Sequence, residues 1–242
     1  SMTRAPFVIG KTESAFDRSS EMFDTTMGWR FINKNLSALH YPFGMGETAE
    51  NVAKQWNISR QEQDEFAFSS QQKYAAAKAA NKWDDEIAAV EINKKGLMSW
   101  VVDDEQPRET SLEKLATLKP AFIKDGTVTA GNSSGINDGS AAMLLASEEA
   151  VKKYGLKPLA KITSMAVAGV DPAIMGIGPI PATQKALQRA GLKVDDVGLI
   201  ELNEAFASQS IACMRDLRLD STKVNVNGGA IALGHPLGCS GV

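Results

Sequence analysis

Asn203, in Glu201-Leu202-Asn203-Glu204-Ala205-Phe206-Ala207, is followed 32 positions later by His235, in Asn227-Gly228-Gly229-Ala230-Ile231-Ala232-Leu233-Gly234-His235-Pro236-Leu237-Gly238. Six residues of the second segment are Gly or Ala, so main chain there can approach a ligand closely and adopt φ > 0. His235 is one of two histidines in the chain, between a glycine and a proline that fixes φ. An imidazole titrates near neutral pH and can take or give a proton. The plain alternative is a structural histidine bonded to its own loop. Asn203 ends an apolar run just before a helical pattern, where Asn is a favoured cap. Glu204 fits either a carboxylate behind a site or the acidic residue that a helix N-terminus attracts.

A second constellation competes for the chemistry. Gly131-Asn132-Ser133-Ser134-Gly135 contains the Gly-x-Ser-x-Gly of a nucleophile elbow, with Asp196 and His235 downstream in the Ser…Asp…His order of α/β-hydrolases. Against it, Ile136-Asn137-Asp138-Gly139 separates the serine from the apolar stretch that follows, whereas an elbow enters its helix almost at once. No histidine and cysteine spacing suits zinc, and no Walker-type or dinucleotide loop is present.

The elements that must position these residues follow a readable order. Residues 1–45 are loop-rich. From Thr48, apolar residues at three- and four-residue steps predict an amphipathic helix, and Ser59-Arg60-Gln61-Glu62 predicts a capping box opening a helix over about 60–80. Residues 86–92 alternate like a strand, Lys94-Lys95-Gly96 reads as a turn, and 99–120 as surface loop and short helix. Buried-strand character returns at 127–130, followed by a polar turn and an apolar helix over 141–154. A strand near 160–168, a helix near 181–190, a strand over 197–202, a helix over 205–217 and a strand at 224–226 complete the pattern. Strands alternating with helices from about residue 121 imply an α/β layer fold.

Composition limits the function classes. The chain has 242 residues, 43% hydrophobic and 23% charged, with a net charge of −3. These values suit a globular core and give no basic stripe for nucleic acid or an anionic membrane. No apolar run is long enough to span a bilayer. Two cysteines make no disulfide framework, which reads as a reducing, cytoplasmic setting.

Asn203-Glu204-Ala205-Phe206 followed by Asn227-Gly228-Gly229-Ala230…Gly234-His235-Pro236 resembles the thiolase family. Further matches are Ser1-Met2-Thr3-Arg4-Ala5-Pro6, Glu47-Thr48-Ala49-Glu50-Asn51-Val52-Ala53, Thr127 through Gly139, and Met175-Gly176-Ile177-Gly178-Pro179-Ile180-Pro181-Ala182, in order along the whole chain. The resemblance implies a layered α/β core with a helix- and loop-rich lid: residues 1–120 as lid, 121–157 as the end of the N-terminal core domain, 158–242 as an incomplete C-terminal core domain. It implies an acetyl-CoA acyltransferase that cleaves 3-oxoacyl-CoA with CoA, as in fatty acid β-oxidation, or runs the reverse condensation. Coenzyme A serves as substrate, with no permanently bound cofactor or metal. It also implies a homodimer or homotetramer.

By the same resemblance His235 activates a nucleophilic cysteine and donates to the thioester oxygen, and Asn203 holds a water beside it. Ser134 and Phe206 lie along CoA or substrate, with Arg108 and Met45 as further contacts. The family's nucleophilic cysteine lies upstream of Met-Thr-Arg-Ala-Pro and a second cysteine downstream of Gly-His-Pro. Neither Cys213 nor Cys239 matches, so the 242 residues read as a central part of a thiolase, inactive alone. Acetoacetyl-type members often place a His before Met-Gly; here Gly44 precedes Met45-Gly46 and His40 reads as structural. Asp24 through Asn33 and Met175 through Pro179 resemble degradative members of the 3-oxoadipyl-CoA type. A thiolase-fold protein that binds acyl-CoA without turnover is the alternative from another class.

Overall fold

Helices near the site start where side chains satisfy free backbone N–H groups. In the computed structural model, which describes residues 2–12 and 14–242, Ser1 of the first matching segment lies outside the described residues. Helix α1 covers Lys34–Leu39, and His40 closes it by donating its N–H to Leu36 O at 2.8 Å. Helix α2 covers Met45–Gln55, three residues earlier than the apolar period suggests, because the Glu47 carboxylate accepts from Gly44 N at 2.6 Å and caps the earlier turn. Helix α3 covers Arg60–Ala79 and opens on the expected box: Glu62 N donates to Ser59 Oγ at 3.2 Å and Ser59 N to Glu62 Oε2 at 2.8 Å.

Two antiparallel hairpins lie in the first half. Strands β1 (Phe7–Ile9) and β2 (Met22–Asp24) pair Phe7 with Asp24. Strands β3 (Val90–Lys94) and β4 (Leu97–Val101) pair Lys94 with Leu97 across Lys95 and Gly96, whose φ values of 53° and 85° suit a tight two-residue turn. The strand expected over 86–92 forms only from Val90 and runs to Lys94, the turn falls at Lys95-Gly96, and β4 was not expected. Helix α4 is Leu112–Ala116.

After residue 120 the expected strands are hardly paired, leaving only isolated bridges among the described residues. At 127–130, Val128 and Thr129 are fully buried, yet only Thr129 bridges a neighbour, Pro120. The Glu50 carboxylate instead accepts from Thr127 N and Val128 N, each at 2.8 Å, taking the donors that a neighbouring strand would use. The helix expected over 141–154 is shorter. Helix α5 is Glu148–Tyr154, with the Ser147 hydroxyl accepting from Ala150 N at 3.1 Å, and 141–146 is irregular. A run of Ala, Met and Leu with no polar face carries no period that separates strand from helix. Over 164–170 exposure alternates residue by residue, as in a strand, with no strand partner among the described residues. Helix α6 (Pro179–Ala190) occupies its carbonyls: Lys185 Nζ binds Val167 O at 2.9 Å and Arg189 Nη1 binds Met165 O at 2.8 Å.

Helix α7 (Ala207–Leu217) is the hub. Its Ala207 packs with Ala67, Leu115 and Ile231; its Ala212 with Val52 and Ile58; its Cys213 and Leu217 with Ile180. Alanine and serine along it allow close approach, and Ser208 Oγ donates to Ala49 O of α2 at 2.9 Å. A short helix α8 (Ala230–Leu233) runs into Gly234-His235. No described helix is long and apolar enough to cross a membrane.

Candidate active site

The segment carrying Asn203 is aligned by a side chain acting as a strand partner. Ile200 and Val224 form a single parallel bridge, and there the ladder stops because Asn225 has φ 45°. Its carboxamide continues the pairing: Oδ1 accepts from Leu202 N at 2.8 Å and Nδ2 donates to Leu202 O at 2.7 Å. The chain then leaves toward α7 through Asn203, whose side chain takes no part in this pairing. Asn203 is not the helix cap, since α7 begins at Ala207 with Phe206 in the capping position. Gln209 reaches back instead, its Nε2 donating to Asn203 O at 3.3 Å and its Oε1 accepting from Phe206 N at 3.4 Å.

Glu204 faces inward and is 2% exposed. Its carboxylate accepts from Ser70 Oγ at 2.6 Å, Asn225 Nδ2 at 2.8 Å and Ile231 N at 3.1 Å, joining α3, the 224–226 segment and α8. A carboxylate desolvated this far survives through such charge-assisted bonds. The helix-terminus reading does not hold, since Glu204 lies outside the first turn of α7, and its carboxylate bonds neither Asn203 nor His235 but the elements that carry them. Burial, reinforced by the negative charge of Glu204, pushes the Glu201 carboxyl above its usual value.

His235 is delivered by the glycine loop. Gly234 has φ 97°, which L side chains rarely adopt, and a Cβ there would lie 2.2 Å from Asn137 Oδ1. The His235 N–H lies between Asn137 Oδ1 at 3.1 Å and Gly135 O at 3.2 Å, and Ile136 bridges it. The half-buried ring meets Asn203 Nδ2 through Nε2 at 3.3 Å and Ser240 Oγ through Nδ1 at 2.7 Å. Burial lowers the His235 pKa below its ordinary value, which favours the neutral ring, the form that can act as a base.

Asn203 and His235 sit at a cavity of about 290 Å³, walled by Met45, Met175, Leu202, Pro179 and Phe206. Its polar side chains Thr48 and Gln209 are occupied, the former donating to Met45 O at 2.7 Å. Asn51 Nδ2 holds Ala173 O at 2.9 Å, and so fixes the Met175-Gly176 wall. A second cavity of about 180 Å³ is lined by Arg108, Lys114, Gln71, Gln106, Ser133 and Gly135 among others. Gln71 Oε1 accepts from Arg108 N at 3.0 Å, pinning this stretch to α3. Ser133 lines the second cavity and bridges Phe206 of the first; the half-buried Ser134 donates its N–H to Ala205 O at 3.1 Å.

Four of the residues singled out from sequence, His235, Asn203, Phe206 and Met45, therefore meet around one cavity. Arg108 lines the other, and Ser134 lines neither, although its neighbours Ser133 and Gly135 line the second. Asn137, Gln209, Met175 and Ser240 were not singled out; Asn137 and Met175 at least lie in matching segments, whereas nothing in the sequence marked Gln209 or Ser240, since their partners are distant in sequence or across a turn. The hydrolase arrangement is not formed. Ser133 Oγ donates to Thr129 O at 2.7 Å, Asp196 accepts from Lys193 N at 2.8 Å, and the ring nitrogens of His235 meet Asn203 and Ser240.

An imidazole and a carboxamide thus converge on one apolar cavity, and a second cavity carries Arg108 and Lys114. Residues 1–149 match the family described as "Thiolase, N-terminal domain" and residues 156–242 that described as "Thiolase, C-terminal domain". The chain belongs to the thiolase family. It is 53% identical to the 3-oxoadipyl-CoA/3-oxo-5,6-dehydrosuberyl-CoA thiolase of Escherichia coli K12 and 54% identical to a beta-ketoadipyl-CoA thiolase of Acinetobacter baylyi, aligning over 100% of its length and 61% of each relative. Among solved structures it resembles the Bacillus anthracis acetyl-CoA acetyltransferase (TM-score 0.85, 44% identity, 100% of this chain and 60% of that one). It also resembles human mitochondrial 3-ketoacyl-CoA thiolase (TM-score 0.80, 43% identity, 99% and 60%). The α/β thiolase-like fold expected from sequence is thereby confirmed.

Proposed function

We propose that the protein to which these residues belong is an acetyl-CoA acyltransferase that cleaves 3-oxoacyl-CoA with coenzyme A, through an acyl-cysteine intermediate. The observation that carries this is the His235–Asn203 pair at the mouth of the apolar cavity. The thiol comes from outside residues 1–242. Its proton passes to Nε2 of His235, the thiolate adds to the 3-oxo carbon, and the bond between the α carbon and that carbon breaks. The leaving group is the enolate of acetyl-CoA, whose charge lies largely on the thioester oxygen, where the newly protonated Nε2–H and a water held by Asn203 donate. Its α carbon then takes a proton to give acetyl-CoA. A carboxamide suits that task because it cannot lose its proton near neutral pH. Free CoA then takes the acyl group from the cysteine.

The acyl chain occupies the Met45, Phe206 and Met175 cavity. The anionic end of CoA lies toward Arg108 and Lys114 of the second cavity, and the arm between them passes Ser134. CoA enters as substrate, with no permanent cofactor. Residues 1–120 form a lid over the core, and the whole protein is a homo-oligomer of the cytoplasm. The relatives' names favour a 3-oxoadipyl-type, degradative substrate; fatty acid β-oxidation is the broader reading. The test is thiolysis by the full-length protein of a panel from acetoacetyl-CoA through 3-oxoadipyl-CoA to longer 3-oxoacyl-CoAs. Saturable, CoA-dependent cleavage that peaks at 3-oxoadipyl-CoA supports the reading. Tight acyl-CoA binding without cleavage of any of them would establish the binding-protein alternative instead.

A further inference from the structure

We propose that Ser240 is a positioning residue that fixes the tautomer of His235, holding the ring proton on Nδ1 so that Nε2 presents its lone pair beside Asn203. The inference rests on His235 being the site's base. It follows from assigning each proton around the ring. Asn203 turns its amide Nδ2 toward Nε2 at 3.3 Å, and an amide nitrogen only donates, so Nε2 must accept. The neutral ring then carries its proton on Nδ1, which faces Ser240 Oγ at 2.7 Å. Ser240 must therefore accept there, and its own proton needs another acceptor. Pro236 O, 3.1 Å away, supplies it.

That carbonyl is held still by the turn that follows. Cys239 N and Ser240 N both donate to Pro236 O, at 2.8 and 3.0 Å, so the hydroxyl oxygen is pinned by its own backbone turn. Gly139 gives this turn its seat: a Cβ there would lie 2.6 Å from Pro236 Cβ. The relay of carbonyl, hydroxyl and imidazole therefore works within six residues of chain, from His235 to Ser240. A ring with its proton on Nε2 would turn an N–H toward the Asn203 amide and offer no lone pair to a thiol. Accepting from Nδ1–H also steadies the ring when Nε2 takes up a proton.

The experiment uses full-length protein labelled with ¹⁵N-histidine, the His235 signals being identified by their loss in His235→Ala. Wild type is expected to show protonated Nδ1 and unprotonated Nε2. Ser240→Ala should lose that preference and reduce kcat roughly two- to tenfold, the span of one ordinary hydrogen bond, with KM for CoA unchanged. Ser240→Thr, which keeps the hydroxyl, should restore both. Unprotonated Nδ1 in wild type overturns the proposal even where Ser240→Ala fails to fold. A tautomer shift without a kcat loss, or a kcat loss without a tautomer shift, overturns it as well. Near-wild-type turnover by His235→Ala would instead remove the catalytic reading of the ring while leaving the measured tautomer standing.

Discussion

At the scale of single residues, His235 owes its chemistry to burial. Desolvation penalises the imidazolium, so its pKa falls and the neutral base persists to lower pH than for a free histidine. The competent form lies above that pKa. The acid limb of kcat/KM attributed to this group is therefore expected below pH 6.5, its ordinary value, and a limb above that would contradict the role. His235→Ala in the full-length protein should cost about 10²–10⁴ in kcat, the span for losing a general base or an oxyanion donor. Folding should survive, as thermal melting would show, because the ring packs into a glycine-built loop and not into a hydrophobic cluster. Ser134 asks for less. One neutral hydrogen bond along a carrier arm contributes about 0.5–1.5 kcal/mol, so Ser134→Ala should raise KM for CoA several-fold and leave kcat nearly intact. A serine-directed fluorophosphonate should label neither Ser133 nor Ser134; covalent labelling would revive the hydrolase arrangement.

At the scale of elements, the Glu204 carboxylate is the tie that sets α3, α8 and the 224–226 segment relative to one another. Removing it leaves Ser70, Asn225 and the Ile231 N–H without their acceptor in a dry interior. Since hydrogen bonds to charged groups contribute about 1.5–3 kcal/mol each, Glu204→Ala should destabilise by at least about 3 kcal/mol, measured as a shift in the denaturant midpoint. A shift under 1 kcal/mol would mean the network is dispensable. Gly229 tests the same tie by steric means, because a Cβ there would lie 2.2 Å from the Glu204 Cδ. Gly229→Ala should therefore also lower stability, through displacement of the carboxylate and α8.

At the scale of the whole molecule, the site gathers residues from α2, the segment before α6, the entry to α7 and the loop after α8, while the covalent step needs a thiol. Cys213 cannot supply it. It is wholly buried against Ile180 and Leu217, and burial pushes its thiol up to about 12, leaving almost no thiolate near neutral pH. Residues 1–242 alone are expected to show no thiolysis of any 3-oxoacyl-CoA, and measurable cleavage by them would refute the external source of the nucleophile. The chain covers 61% of the length of these relatives.

Local signals determined much of this. The Ser59 box, the helical period of α2, the existence of helices near 181–190 and 205–217, and the Lys95-Gly96 turn depend on neighbours in sequence, so they were legible from the residues. The His235 and Asn203 segments were legible too, because glycine spacing and a recognised motif order mark them. Strand formation was not: at 127–130 and 164–170 the β-like pattern is present, but pairing depends on distant neighbours. Glu50 takes the donors of Thr127 and Val128 in one case, and Lys185 and Arg189 take the carbonyls of Val167 and Met165 in the other. Nor could sequence decide among the readings of Asn203, Glu204 and Ser133. Each is a polar side chain whose role is set by whichever donor or acceptor lies within about 3 Å of it, and that distance exists only once α3, α7 and the glycine loop have packed.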